Sequence, residues 1–78
     1  MVFKKVALLL AAILQVHPDD IKQGDILSRE YGIEPLDVAR LVIECEKKFK
    51  ITVLDEDVPQ WRTVQDVVDY ITAALDDR

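Results

Sequence analysis

The sequence predicts an all-α protein, a small four-helix bundle with three longer helices, one short helix and a long first loop. Three observations point there. Half of the 78 residues are hydrophobic and only two are glycine, which suits a compact helical chain rather than a disordered one. Apolar residues recur at helical spacing in three stretches, and clusters of turn-forming residues separate them. The length predicts one domain over residues 1–78, with too little core to enclose a large active site.

The first helix is predicted over Phe3 to Gln15. A 100° wheel puts Phe3, Val6, Leu10, Ile13 and Leu14 on one side and Lys4, Lys5, Ala12 and Gln15 opposite. Leu8 is the exception, an apolar side chain among the polar positions. From Val16 to Ile33 the periodicity fades, and His17-Pro18-Asp19-Asp20 and Gln23-Gly24-Asp25 favour turns. This is the long loop, with Ile21, Ile26, Leu27 and Ile33 expected to tuck onto the bundle.

The second helix is predicted to start at Pro35, whose fixed φ and missing N–H suit the first helical position. Asp37 adds favourable negative charge to its first turn, while Glu34 is a weak cap, so fraying is expected at the start. Val38, Leu41, Val42, Cys45 and Phe49 share a core face. Leu36, Arg40, Ile43 and Lys47 form a separate stripe at i, i+4, i+7 and i+11. Ile51 and Val53 then alternate with Lys50 and Thr52 in an extended link. Asp55-Glu56-Asp57 is expected to cap a brief third helix, which Pro59 makes short or irregular if it lies beyond the first turn. Thr63-Val64-Gln65-Asp66 reads as a capping box opening the last helix, with Val64, Val67, Val68, Ile71 and Leu75 as its apolar stripe. Asp76 and Asp77 lie against the negative end of that helix, so its tail is expected to fray.

Charge and composition exclude several function classes. A formal net charge of −5 argues against a general nucleic-acid binder. Lys4-Lys5 before the apolar run Val6 to Leu14 imitates a secretory signal, but no small-x-small cleavage site follows and the run is too short to span a bilayer. No membrane association is expected. A lone cysteine, Cys45, cannot form an intramolecular disulfide, and a reducing cytoplasm suits it. His17, Asp19 and Asp20 are read as turn formers rather than metal ligands. No nucleophile has a convincing base: Cys45 faces inward and Ser28 lies in the loop, so no catalytic residue is assigned and no enzyme is expected.

One string carries more information than the helices do. It runs through Tyr31-Gly32-Ile33-Glu34-Pro35-Leu36-Asp37, then Leu41-Val42, Glu46, Phe49, Asp55-Glu56-Asp57, Thr63-Val64-Gln65 and Asp69-Tyr70-Ile71. It resembles the acyl carrier protein, or phosphopantetheine-type carrier, family over most of the chain. In that family the phosphopantetheine arm is joined to the serine of an Asp-Ser-Leu triplet, and Glu34-Pro35-Leu36 stands in its place. The resemblance therefore implies the family's helical bundle without the hydroxyl that carries cargo, and no phosphopantetheine is expected.

The same resemblance implies that the second helix meets partner enzymes, with Leu36, Arg40, Ile43, Glu44 and Lys47 as the working surface. From Leu36 to Lys50 three acids face four bases, so the net negative charge of the chain sits elsewhere. Trp61 falls where the family commonly has an aliphatic residue lining the acyl-chain cavity, and its indole is large enough to fill that space, although half-exposure remains open. The expected function is a non-catalytic protein–protein interaction or accessory module in fatty-acid, polyketide or related biosynthesis, monomeric in solution. Two alternatives stand beside it: a functional carrier modified at a non-standard site such as Ser28, and a structural module that self-associates weakly through the Leu8 face.

Overall fold

The computed structural model describes residues 1–77. Three α-helices, α1 (Val2–Leu14), α2 (Pro35–Phe49) and α3 (Val64–Asp76), account for the regular structure. Three single 3-10 turns, at Pro18–Asp20, Arg29–Tyr31 and Val58–Gln60, punctuate the connections. The all-α expectation holds. Its fourth, short helix is reduced to the single 3-10 turn at Val58–Gln60, with Pro59 in the first turn, where its missing N–H costs no helical hydrogen bond.

Helix α1 packs against both α2 and α3, and these two touch each other less. Val6, Ala7, Leu10 and Ala11 make its buried face, while Leu8 is 50% exposed. The wheel placed the axis of this face correctly but omitted the two alanines, whose small side chains let neighbouring helices approach. Leu41, Cys45 and Phe49 supply the buried face of α2, with Val38 and Val42 packed beside them. Val64, Val67, Val68 and Ile71 do the same for α3. Burying such side chains stabilises by roughly 1.5–3 kcal/mol each relative to exposure.

The long first loop is anchored through side chains and backbone together. Ile21 and Ile33 are buried and Leu27 is partly buried, as expected. Ile26 departs from expectation at 39% exposed. Its backbone is used instead: Ile26 forms an isolated antiparallel bridge with Thr63, and the Leu27 N–H donates to the Arg62 carbonyl at 2.8 Å. Nearby, the N–H groups of Val64 and Gln65 donate to the carbonyls of Asp25 (3.0 Å) and Gln23 (2.8 Å). Two of the donors that every helix leaves unsatisfied at its N-terminus are thus met by the loop.

The expected capping box at the start of α3 is present. Thr63 Oγ1 accepts from the Asp66 N–H at 3.2 Å, and Asp66 Oδ2 accepts from the N–H groups of Thr63 (3.0 Å) and Arg62 (2.9 Å). Those donated bonds hold the Asp66 carboxyl below its ordinary pKa. Asp57 does not cap the Val58–Gln60 turn with its side chain, contrary to expectation. Its carboxylate accepts the Tyr70 hydroxyl at 2.7 Å, and the Tyr70 oxygen accepts the Leu54 N–H at 3.3 Å. The Asp57 acceptor favours the protonated phenol and raises the Tyr70 pKa.

Candidate functional site

Pro35 is the first residue of α2 and is exposed. Glu34 precedes it with extended backbone angles, φ −85° and ψ 157°, the conformation proline imposes on its predecessor. The Asp37 carboxylate accepts the Glu34 N–H at 2.9 Å, and Arg29 Nε donates to Glu34 Oε2 at 2.9 Å. The start of α2 is therefore fastened by Asp37 from within the helix and by Arg29 from the loop. This support was not expected of Glu34.

Pro35 lines an open groove of ≈ 420 Å³ bounded by the end of the first loop, the first turns of α2 and the Val58–Gln60 turn. Ser28 and Arg29 line its loop side, Val38 and Ala39 its α2 side, and Trp61 its remaining wall. Trp61 is only 6% exposed, which settles its placement as buried rather than half-exposed. Its ring meets Tyr70 edge-on, with centroids 5.5 Å apart and planes at 70°. Trp61 Nε1 has no hydrogen-bond partner among the described residues.

Leu36 and Ile43 are 64% and 51% exposed, and Arg40 and Lys47 are exposed between and beyond them. The stripe expected from the wheel is thus a continuous outward ridge of α2. Glu44 is half-buried on its α1 side, where it lines a groove with Arg40, Ile43, Leu9, Ala12 and Ile13. On the opposite side Ile43 borders a second groove with Ala39, Val42, Glu46, Asp55, Val58 and Pro59. The ridge and Pro35 belong to the same helix, so both present outward from one rigid element.

The family profile for the phosphopantetheine attachment site matches residues 4–71. The chain is 38% identical over 72 residues to an acyl carrier protein of Onion yellows phytoplasma, spanning 92% of this chain and 95% of that one. The chain belongs to the acyl carrier protein family. It is also 32% identical over 76 residues to an acyl carrier protein of Phytoplasma mali, covering 97% of this chain and 90% of the other. An acyl carrier protein of Wolinella succinogenes matches at 40% identity over 58 residues, 74% of this chain and 76% of its own.

Acyl carrier proteins are carriers rather than enzymes, as the sequence reading held. The family's arm needs a hydroxyl to form its phosphodiester, and the first residue of α2 supplies only a pyrrolidine ring. The residues at that helix start do not fit the group. Ser28, the chain's one serine, lines the same groove as Pro35 although it lies seven positions earlier. It is half-buried, opens the Arg29–Tyr31 turn and makes no side-chain cap hydrogen bond. Sequence spacing alone gave no sign of this approach, because it depends on how the loop folds back.

The remaining candidates separate cleanly. Cys45 is buried, and burial, reinforced by Glu44 and Glu46, pushes its thiol up to about 12. It stays protonated near neutrality, so it is a small core hydrophobe rather than a thioester site. The His17 ring accepts the Asp19 N–H at 3.1 Å, which is the turn-forming role expected of that cluster. No group of three metal-capable side chains occurs among the described residues. Among these residues, too, no helix is long and apolar enough to cross a membrane.

Proposed function

We propose that this protein is an acyl-carrier-protein relative that does not carry phosphopantetheine and works by protein–protein contact. The observation that carries the reading is Pro35 at the first position of α2, where the resemblance places the modified serine. Proline keeps the helix start and removes the nucleophile. Burial of Trp61 beside the groove agrees with this, since an indole occupies space that a smaller aliphatic side chain would leave for cargo.

The protein serves as an accessory module in fatty-acid, polyketide or related biosynthesis, in the cytoplasm, as one carrier-like domain over 1–78. Its contact surface is the α2 ridge of Leu36, Arg40, Ile43 and Lys47 together with Glu44 in the groove on its α1 side. Two exposed apolar side chains on one rigid helix, with charges interleaved, form the kind of patch that partners bury. The intact mass of the chain isolated from its own cells tests the reading. The bare polypeptide mass is expected, and an added pantetheinyl mass overturns it.

One observation favours a second reading, in which the arm is attached at Ser28. Ser28 lines the Pro35 groove, and its side chain makes no cap hydrogen bond. Against it, Ser28 opens a three-residue 3-10 turn rather than a long helix, so it lacks the structural context of the family's site. Fragment mass spectrometry of any modified species assigns the site directly.

A further inference from the structure

The three carboxylates of α2 lie off its outward crest. Asp37 is committed to the Glu34 N–H, and Glu46 Oε2 accepts the Val53 N–H at 3.0 Å, which holds that side chain toward the link. Glu44 is half-buried in the groove on the α1 side. The crest itself carries Leu36, Arg40, Ile43 and Lys47 without an acid between them.

Arg40 and Lys47 sit one turn either side of Ile43, and neither makes an ion pair with any described residue. The two grooves flanking Ile43 have mostly apolar walls, from Leu9 and Ile13 on one side to Val42 and Val58 on the other. The arrangement is an apolar anchor point with a free cation one turn up and one turn down. Flanking Glu44, Glu46 and Asp55 repel acids placed off this line and so fix the partner's register.

We infer that the occupant of this ridge is a partner protein's amphipathic helix whose carboxylates meet Arg40 and Lys47 while its apolar side chains seat beside Ile43. This rests on the proposed use of α2 as the contact surface and adds the chemical character of what it contacts. A nucleic acid satisfies the two cations but leaves Leu36 and Ile43 exposed, and the net charge of −5 opposes it.

The test uses the intact protein, isotope-labelled for amide spectra, and two synthetic helical peptides. Both carry leucine anchors. One has glutamates spaced a helical turn either side of the central leucine, and the other has lysines there. The glutamate peptide is expected to shift the amides of Leu36 to Lys47, with binding that weakens as salt is raised. Arg40→Glu combined with Lys47→Glu should weaken it by roughly tenfold and give the lysine peptide the affinity the glutamate peptide lost. Both substitutions are at exposed positions, and an unchanged Tm confirms that the fold persists.

If the lysine peptide binds the unaltered protein on the same amides as well as the glutamate peptide does, the surface stands and its stated polarity is overturned. If neither peptide moves those amides, the surface itself is overturned together with the inference. Shifts produced by a short oligonucleotide but by neither peptide also overturn it.

Discussion

The starts of α2 and α3 use related devices for different ends. Each has an aspartate at the third helical position that accepts the N–H of the capping residue: Asp37 for Glu34, Asp66 for Thr63. At α3 the next residue, Val64, is fully buried, and loop carbonyls take the N–H groups of Val64 and Gln65. At α2 the corresponding residues, Pro35 and Leu36, are exposed. One helix start is sealed into the core and the other is held out to solvent. The difference teaches that capping fixes where a helix begins, whereas burial decides whether that beginning is available to a partner.

The largest way to sharpen this comparison is truncation at the two exposed or buried neighbours. Val64→Ala should destabilise by about 2 kcal/mol through lost burial and a residual cavity. Leu36→Ala should stay within about 0.5 kcal/mol, as for most surface changes. Urea unfolding measures both, and equal losses would erase the distinction between sealed and presented starts.

Next in size is the cap. Thr63→Ala removes the acceptor of the Asp66 N–H and should cost about 1 kcal/mol. Glu34→Ala is expected to cost less, because Asp37 and Pro35 still define the start and its contact with Arg29 is exposed.

The pH dependence of stability gives a subtler contrast. Asp66 has a folded-state pKa below its unfolded value, so its contribution is present above the ordinary carboxylate range near ~3.9 and fades as pH falls through the lowered value. Asp66→Asn should flatten that acid limb. Tyr70 is shifted the other way: its contribution is complete below ~10 and is lost as pH rises through the raised value. Tyr70→Phe should flatten the alkaline limb. Unfolding curves at several pH values read both slopes.

The smallest expected effect is on α1. Leu8→Glu should leave both stability and a monomeric sedimentation coefficient unchanged, since Leu8 is a singly exposed leucine on α1. A change from dimer to monomer would move the contact surface from α2 to α1.

Much of this was legible in the sequence, and the exceptions share a cause. The helix start at Pro35, the core face of Leu41, Cys45 and Phe49, and the outward stripe from Leu36 to Lys47 follow from local spacing, which a wheel captures. The exposure of Ile26, the bond from Tyr70 to Asp57 and the shared groove of Ser28 and Pro35 join residues that only the folded loops bring together. The fourth helix is only the 3-10 turn Val58–Gln60, and Pro59 does not account for that, since it lies in the first turn, where proline is tolerated. Arg29 at the start of α2 carried no sequence signal beyond opposite charge five residues from Glu34.

The central claim is that the exposed start of α2 retains a carrier's shape without its attachment chemistry. Incubating the protein and a Pro35→Ser variant with a broad-specificity phosphopantetheinyl transferase and coenzyme A, then measuring intact mass, tests it directly. The account predicts that the variant gains one pantetheinyl arm and the unaltered protein gains none. An arm on the unaltered protein would contradict it and move the attachment site to Ser28.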